Sequence, residues 1–406
     1  MTGPLEGIKV VEWAVWHNGP AAGYMLGDLG ADVVKVEDPV RGDSFRGAAA
    51  LWGESTQLPG GRVLGFETAN RSKRGITLDL KQEKGLQVLY RMVEQADVFI
   101  TNFSGTLAKR LKVDFETLSR YNPRLVYARA HGYGSLGPWG DRRAFDPIAQ
   151  ALSGAMWSAG DRDFKEPIQL MPGLFDQLGA TMLAYGVMAA IISRDRQGVG
   201  QEIETSLLGS AIHQQAINVN AALIQGRPRA RHSRKRARQP LSNMYQCGDG
   251  KWLMLAEPQS DRFWGQLCQV MNLSEIEKDP RFETALKRRE SYAELIEILN
   301  HAFAARTRDE WLDTFNQAGC EFAYAPIMDL AETLGSDQVI ENQYVAEMDH
   351  PDLGKARTVG FPVRFSRTPA RIPRAAPQFG QHTEEVLQDL GYSWDDIAEM
   401  RGEGVV

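Results

Sequence analysis

The chain has 406 residues, of which 43% are hydrophobic and 24% are charged, and its formal net charge at pH 7 is −6. A chain of this length buries a large core, and at about 150 residues per domain it predicts two or three domains. The negative charge argues against a general nucleic-acid binder, and no apolar run reaches the roughly 18 residues that span a bilayer, so we expect neither nucleic acid nor a membrane as a partner.

The first forty residues predict a strand, a tight turn, a helix and a second strand. The strands are expected at residues 8–11 and 33–36 and the helix at 21–29, because β-branched runs flank a segment suited to packing on a parallel sheet. Ligands of such sheets bind at the carboxyl ends of the strands, which makes the turn after the first strand the expected docking place. The turn lacks the three-glycine dinucleotide fingerprint, so a nicotinamide enzyme is disfavoured.

Strands and helices keep alternating as far as residue 185. We expect helices at residues 84–95 and 106–111 and strands at 97–101 and 125–130, followed by a long helix with an apolar stripe at about 173–193. This alternation is typical of an α/β fold with a parallel sheet covered by helices.

A basic segment, residues 227–238, separates this region from one of a different pattern. It carries seven Arg or Lys side chains without interleaved aromatic residues, so we interpret it as a solvated linker or a phosphate clamp rather than a nucleic-acid site. Beyond it, a strand at 252–257 and amphipathic helices at 261–273, 292–305 and 308–318 indicate a separate α+β unit. The predicted domains are residues 1–224, a large Rossmann-like domain, residues 225–327, a small α+β domain, and a C-terminal segment at 328–406.

The cysteines and the N-terminus indicate the compartment. Cys247, Cys268 and Cys320 show no paired or metal-type spacing, and MTGPLEG lacks the basic stretch and apolar core of a secretory signal. An odd number of unpaired thiols without a signal is typical of a reducing compartment. We therefore expect a cytoplasmic protein that holds no metal.

Eight sequence words between residues 5 and 393 carry a family resemblance. They are, in order, LEGIKVVEWA, GPAAGYMLGDLGADVVKVE, NRSKRGITLDLK, DVFITNF, NPRLVYARAHGYG, FDPIAQALSG, DRQGVGQEIETSLL and GQHTEEVLQDLGYS. In this order and spacing the chain resembles the family III CoA-transferases (CaiB/BaiF family), which include formyl-CoA transferase, carnitine-CoA transferase and α-methylacyl-CoA racemase.

The resemblance implies an architecture and a set of partners. The Rossmann-like large domain would bind coenzyme A, and the C-terminal segment would return to it, closing each subunit into a ring that interlocks with a second ring in a dimer. The implied partners are an acyl-CoA, a carboxylic acid, and a second subunit in a homodimer or in a heterodimer with a paralogous chain. Coenzyme A would enter as a thioester substrate, with no cofactor bound permanently.

Asp176, in the word MPGLFDQLGA, is the strongest catalytic candidate. Pro172 and Gly173 mark a helix start, which places Asp176 in a first turn where free amide groups and the helix dipole favour an anionic carboxylate. An acid at this position can equally serve only to stabilise its helix. The resemblance implies that Asp176 is the nucleophile that forms a mixed anhydride and then an aspartyl-CoA thioester.

The resemblance also implies a set of residues that contact coenzyme A. They are His17, Asn18, Asn70, Arg71, Ser72, Lys73, Asn102, Phe103, Ser104, Arg110, His131, Gly132 and Tyr133. His17, where family members often carry glutamine, is also expected to act in catalysis by offering an N–H group to an oxyanion. The alternatives are a histidine satisfied by a nearby carbonyl and, for Arg71 and Lys73, solvated surface charge.

Two alternatives to a simple transferase remain. Racemases of the family pair their aspartate with a histidine at the place where this chain has Phe145, and an α-proton is not exchanged on both faces without a second base. The chain is alternatively one subunit of a heteromeric transferase. Trp16, Trp139 and Trp157 would leave room for a bulky acceptor such as an aryl- or alkyl-substituted succinate, with succinyl-CoA as donor, unless these rings belong to the core.

Overall fold

The computed structural model of the chain describes residues 3–51, 53–140 and 142–406. These residues form two compact units. The first comprises residues up to 156 together with 169–228 and 341–406, and the second comprises residues 157–168 and 229–340.

The strands form one large sheet and three small ones. They are β1 (Lys9–Trp13), β2 (Asp32–Glu37), β3 (Ala50–Leu51), β4 (Glu54–Ser55), β5 (Lys73–Thr77), β6 (Val98–Thr101), β7 (Val126–His131), β8 (Gln201–Ser206), β9 (Ser242–Gln246), β10 (Trp252–Ala256), β11 (Tyr324–Ile327), β12 (Val345–His350) and β13 (Gly354–Val359). The large sheet has the order β5-β2-β1-β6-β7-β8, and every neighbouring pair is parallel. The order reverses beside β1, so the turn after β1 lies at the switch point where such sheets bind ligands.

The helices lie between and after these strands. They are α1 (Asn18–Asp28), α2 (Leu64–Asn70), α3 (Glu83–Gln95), α4 (Gly105–Arg110), α5 (Phe115–Tyr121), α6 (Asp146–Leu152), α7 (Ala155–Ser158), α8 (Leu174–Gln197), α9 (Leu207–Gln214), α10 (Ala216–Gln225), α11 (Ser260–Val270), α12 (Ser274–Glu277), α13 (Ala285–Glu290), α14 (Tyr292–Ala304), α15 (Arg308–Gln317), α16 (Leu330–Leu334), α17 (Asp337–Glu341), α18 (Thr383–Asp389) and α19 (Trp394–Gly402). The predicted α/β fold with its parallel sheet is confirmed.

The large sheet is covered on both faces, which explains the consecutive apolar residues in its central strands β1, β2 and β6. Val10 packs in the layer that contains α1 and α8, while its neighbour Val11 packs in the layer that contains α3. Phe99 and Ile100 divide between the two layers in the same way. Successive side chains of a strand point to opposite faces, so a strand buried on both sides needs an unbroken apolar run.

Helix α8 carries much of this core. Among the described residues it is the one helix long and apolar enough to cross a membrane, with a mean hydropathy of 1.4 over 18 residues. No membrane-spanning run was expected from the sequence, because polar side chains such as Thr181 interrupt the apolar runs of α8. Leu183, Val187 and Ile191 of α8 are buried against the sheet. The apolar side of α8 therefore packs in the protein core.

The second unit has a three-stranded antiparallel sheet in the order β11-β10-β9. Its core contains Tyr245, Trp311 and Phe315, all buried. Part of the basic segment is structural here: Arg231 donates hydrogen bonds to the carbonyl oxygens of Trp157, Phe164 and Glu166. These bonds hold the segment 157–168, which the predicted domain boundaries had assigned to the large domain.

The last residues of the chain, which belong to the first unit, contact its N-terminal part. The amide of Ser72 donates to the carbonyl of Arg374 (2.9 Å), and the amide of Asp79 donates to the carbonyl of Val405 (2.8 Å). The amide of Thr77, at the end of β5, donates to Thr383 Oγ1 (3.2 Å) at the start of α18.

Candidate active site

The first turn (residues 14–17) joins β1 to α1 and is held from both sides. Trp16 has φ = 64°, a left-handed conformation that costs free energy for a residue other than glycine. Its amide donates to Asp43 Oδ1 (2.9 Å). Asn102, which follows β6, accepts a hydrogen bond from the amide of Val15 (3.0 Å) and donates one to its carbonyl (2.6 Å). These contacts fix the backbone that leads into His17.

His17 is tethered to the helix that carries Asp176. Its Nε2 lies within hydrogen-bond distance of Gln177 Oε1 (2.9 Å), and Gln177 Nε2 donates to Tyr24 Oη (2.8 Å). A methyl group placed on Gly179 would lie 3.1 Å from the side-chain amide of Asn18. The starts of α1 and α8 are therefore in direct contact, and the structure places His17 and Asn18 against the helix that carries Asp176.

Asp176 lies in the first turn of α8, as predicted, but the free amides of that turn belong to another carboxylate. Asp146 Oδ1 accepts hydrogen bonds from the amides of Phe175 (2.7 Å) and Asp176 (3.3 Å), and its Oδ2 accepts one from Gly173 (3.1 Å). Asp146 is buried. It caps α8 from the first position of α6, and it sets where the Asp176 backbone lies.

The ionisation of Asp176 differs from the sequence-based expectation. Burial, and after it the negative charge of Asp146, raise the pKa of Asp176 to about 7. The helix start does not hold Asp176 as a strongly acidic anion, because its amides are occupied by Asp146. A carboxylate with a pKa near 7 is a stronger base than an ordinary aspartate, and it is ionised in a large fraction of molecules at neutral pH.

Aromatic side chains surround the first turn. The Trp16 ring centroid lies 5.3 Å from that of Phe45 and 5.6 Å from that of Phe145, the latter in an edge-on arrangement. Phe145 immediately precedes Asp146 and is 53% exposed. An apolar surface therefore adjoins the cap of the Asp176 helix.

The side chains of Asn70, Arg71, Ser72 and Lys73 point inward. Arg71 Nη2 pairs with Asp28 Oδ2 (2.7 Å), and Ser72 Oγ donates to Asp28 Oδ1 (2.6 Å). Lys73 Nζ donates to Asn70 Oδ1 (2.8 Å) and pairs with Glu12 Oε2 (2.7 Å). All four are buried. Arg71 and Lys73 are thus not solvated surface charges, because their charges are used in internal pairs, and their contact with coenzyme A stays a prediction.

Lys73 belongs to a buried charge group, which consists of Glu12, Lys35, Asp43 and Lys73. Lys35 Nζ lies 3.2 Å from Glu12 Oε1 and 2.9 Å from Asp43 Oδ2, and it donates to the carbonyl of Ala14 (2.7 Å). Burial alone would lower the pKa of Lys35, but Asp43 and Glu12 raise it above its usual value. The group carries two positive and two negative charges, and through Ala14 and Asp43 it supports the first turn.

The candidates after β6 are placed near the first turn or on α4. Asn102 contacts the turn itself, and the Phe103 ring centroid lies 4.2 Å from that of Trp13. Ser104 Oγ caps α4 by accepting from the amide of Leu107 (3.2 Å). Arg110, the last residue of α4, is exposed.

The candidates after β7 lie at the same edge of the sheet, since all six strands are parallel. His131 Nε2 is 3.4 Å from Glu204 Oε2. A methyl group on Gly132 would come within 2.2 Å of the Ala144 side chain, so only glycine fits there. Tyr133 Oη donates to the carbonyl of Arg143 (3.1 Å).

Three residues that shape this site were missed as functional candidates from the sequence. They are Asp43, Asp146 and Gln177. For Asp146 a signal was present, because an acid followed by proline is common at a helix start. Asp43 and Gln177 contact residues far away in the chain, and a single sequence does not reveal such contacts. The described residues contain no group of three His, Cys, Asp or Glu that could hold a metal ion.

Known proteins are similar in sequence to this chain over nearly its whole length. It is 28% identical over 404 residues to (R)-2-hydroxy-4-methylpentanoate CoA-transferase of Clostridioides difficile, covering 99% of each chain. It is 31% identical over 415 residues to mouse succinyl-CoA:glutarate CoA-transferase, covering 99% of this chain and 90% of that one.

The fold and a family profile lead to the same group of proteins. The structure superposes with a TM-score of 0.83 on the crystal structure of a CaiB/BaiF family protein from Brucella suis, at 28% identity, covering 96% of this chain and 100% of that chain. Residues 5–383 match the sequence profile of CoA-transferase family III. The chain therefore belongs to CoA-transferase family III, a family of enzymes whose substrates are CoA thioesters and carboxylates.

Proposed function

We propose that the protein moves coenzyme A from an acyl-CoA donor, with succinyl-CoA as the first candidate, to a carboxylic acid, and that Asp176 is the nucleophile. The observation that carries this proposal is the placement of Asp176. Asp176 lies half-buried in the first turn of α8, next in sequence to Gln177, whose side chain meets His17 in the turn at the switch point of the sheet. Its raised pKa, about 7, supports a nucleophilic role at neutral pH.

The proposed reaction passes through two kinds of intermediate. The Asp176 carboxylate attacks the thioester carbonyl of the donor, and the tetrahedral intermediate expels the CoA thiolate, leaving a mixed anhydride. The thiolate then attacks the Asp176 carbonyl and releases the donor acid, which forms an aspartyl-CoA thioester.

The acceptor acid reverses these steps. Its carboxylate attacks the aspartyl thioester and displaces the thiolate, which then attacks the acceptor carbonyl and regenerates the Asp176 carboxylate. Each exchange conserves the energy of the acyl bond, so no metal or permanent cofactor is required. The tetrahedral intermediates need fixed N–H donors, and the side-chain amide of Asn18, held against Gly179, is a candidate.

The acceptor we propose is an acid with a bulky apolar group, such as an aryl- or alkyl-substituted succinate. Support comes from the rings of Trp16, Phe45 and Phe145 beside the cap of α8. The names of two relatives agree in class, since one acts with succinyl-CoA and another on a branched 2-hydroxy acid.

The test is an exchange assay followed by mass spectrometry. The protein is incubated with succinyl-CoA or acetyl-CoA and a panel of carboxylic acids, and new CoA thioesters are identified. Hydroxylamine added during turnover should convert Asp176 to a hydroxamate only when a donor is present, because only then is its carbonyl activated. A hydroxamate at another residue, or none, contradicts the assignment of Asp176.

A racemase is the rival activity, and a deuterium-incorporation assay separates it from a transferase. Phe145 stands where family racemases carry their second base, and a phenyl ring transfers no proton. When a chiral 2-methylacyl-CoA is incubated with the protein in deuterium oxide, its α-carbon should therefore gain little or no deuterium. Incorporation at a rate comparable to that of CoA exchange would favour the racemase.

We also propose that the protein works as a dimer. Helix α10 has no buried residue, and Ile217, Leu223 and Ile224 on it are each at least 74% exposed. Contiguous apolar side chains of this kind are typical of a protein–protein interface. Sedimentation at nanomolar concentration should give twice the 45.2 kDa of one chain, and an active species of that single mass would contradict the dimer.

A further inference from the structure

We propose that Gln177 and Tyr24 are positioning residues that hold His17 in the tautomer with its proton on Nε2. In this state the neutral ring offers a substrate group a hydrogen-bond acceptor at Nδ1 and no donor. The inference deepens the proposed function and rests on Asp176 being the reacting group. It replaces the expectation that His17 supplies an N–H group to an oxyanion.

The placement of the Gln177 amide carries the assignment of the tautomer. A glutamine side chain has one accepting oxygen and one donating NH₂ group at its two ends. In the structure Gln177 Nε2 donates to Tyr24 Oη (2.8 Å), and Oε1 faces His17 Nε2 (2.9 Å). An oxygen accepts only from a protonated ring nitrogen. In a neutral imidazole the other nitrogen, Nδ1, then carries a lone pair.

Tyr24 anchors the far end of this chain. It is buried, and its ring centroid lies 4.3 Å from the Arg71 guanidinium, which is itself paired with Asp28. Burial raises the pKa of Tyr24 above its usual value, so its hydroxyl stays protonated at neutral pH. Gln177 is therefore held at both ends and does not turn freely.

The surroundings of His17 keep its ring neutral. Burial lowers the pKa of His17, the hydrogen bond to Gln177 opposes this, the positive charge of Lys73 lowers the pKa further, and the negative charge of Asp146 raises it. The ring of Phe45, edge-on at a centroid distance of 6.4 Å, adds no charge. A neutral ring has a single N–H group, and Gln177 occupies it.

Three substitutions separate a positioning role from simple packing. Gln177→Met removes the accepting oxygen, and we expect kcat about tenfold lower with little change in KM for the donor, equally at every pH. Gln177→Glu keeps an accepting oxygen but adds a charge next to Asp176, so its activity should be low near pH 6.5 and recover towards pH 9. Tyr24→Phe removes the hydroxyl that holds the far end of Gln177 and should lower kcat about threefold, less than Gln177→Met does, because Gln177 can still meet His17.

A matched control lies in the same helix. Gln197→Met makes the same change at the exposed C-terminal end of α8 and should leave kcat, KM and the pH profile unchanged. If Gln177→Met and Gln177→Glu lose activity with the same pH dependence, Gln177 acts only by packing and the proposal is wrong.

The decisive measurement is the tautomer itself. The chain has seven histidines, so the protein is labelled with ¹⁵N-histidine, and the His17 signals are identified by their absence in His17→Gln. At pH 7 and without substrate, Nε2 should show the shift of a protonated nitrogen and Nδ1 that of an unprotonated one, and Gln177→Met should mix the two tautomers. A proton on Nδ1, a doubly protonated ring, or an unchanged His17 spectrum in Gln177→Met would overturn the proposal. Because this experiment uses no substrate, its failure is distinct from a failure of the chemistry at Asp176, which hydroxylamine trapping tests.

Discussion

The first unit contains two sets of buried charge that differ in their balance. In the buried charge group, each carboxylate lies within 3.2 Å of an ammonium group. At the start of α8, by contrast, Asp146 and Asp176 are two acids side by side, and the contacts of Asp146 among the described residues are to amide groups of the backbone and of Gln150.

This difference separates charge that supports the fold from the charge that we propose to be reactive. Burial opposes ionisation in both sets. In the first set Asp43 and Glu12 raise the pKa of Lys35 above its usual value, whereas burial lowers the pKa of Lys73 to about 8 in spite of Glu12, so both side chains are mostly protonated at neutral pH. In the second set no cation offsets the burial, and the pKa of Asp176 rises to about 7. Buried charge by itself is therefore a weak indicator of function, whereas buried charge without a counter-charge, at a ligand-binding edge of a sheet, is a strong one.

The largest effect is expected from Asp176→Asn. Transfer should fall at least about a thousandfold, because the amide does not form the anhydride. Stability should not fall. The folded-state pKa of Asp176 is raised, so its ionisation opposes folding, and stability is lost as the pH rises from about 4 through about 7. Removing the charge should therefore leave the urea midpoint at pH 8 unchanged or higher. A variant that keeps more than about a tenth of the wild-type rate removes Asp176 from the mechanism.

For Lys35→Met, in the buried charge group, we expect a large loss of stability. Losing the ammonium leaves Glu12 and Asp43 buried with less compensation, which should cost about 3–5 kcal/mol in the free energy of unfolding. Lys81→Met is the matched control, since Lys81 pairs with Asp38 (2.8 Å) at the surface and should contribute less than about 1 kcal/mol. Urea denaturation of the three proteins measures both values. Equal effects of the two substitutions would contradict the distinction between buried and surface pairs.

Much of the fold follows from local pattern, because apolar β-branched runs and helical stripes are read over a few residues. Asp176 was found in the same way, from Pro172 and Gly173 at a helix start and from the family resemblance. The burial of the segment 70–73 did not follow from local pattern, because a charged side chain is buried only if a partner meets it, and the partners Asp28 and Glu12 come from other elements. A sequence shows the charge of Arg71 or Lys73, and only the fold shows whether that charge is matched.

The pH dependence tests how much of the reactivity of Asp176 is due to its neighbour. In the wild type, kcat/KM should rise with pH on a limb near pH 7, because the attacking group is the carboxylate. Asp146→Asn removes the neighbouring negative charge and should lower the pKa of Asp176, which moves this limb to lower pH by up to about one unit. The position of the limb is the readout, since the loss of a cap hydrogen bond also lowers stability. A limb that stays in place would assign the raised pKa to burial alone.

The smallest effect concerns the contact through which α8 reaches the first turn. Gly179→Ala would place a methyl group 3.1 Å from the Asn18 side-chain amide, and that buried amide would have to shift by a few tenths of an ångström. Gly186→Ala, two turns further along α8, would meet only the flexible end of Ile203 at 3.3 Å. Both changes favour the helix by up to about 1 kcal/mol, because glycine is a poor residue in a helix interior. Both variants should therefore keep or gain thermal stability, while Gly179→Ala alone loses about two- to fivefold in kcat. If kcat falls in Gly179→Ala alone and neither variant loses stability, the cause lies at the contact with Asn18. Equal kcat values in the two variants would mean that this contact does not matter for the reaction at Asp176.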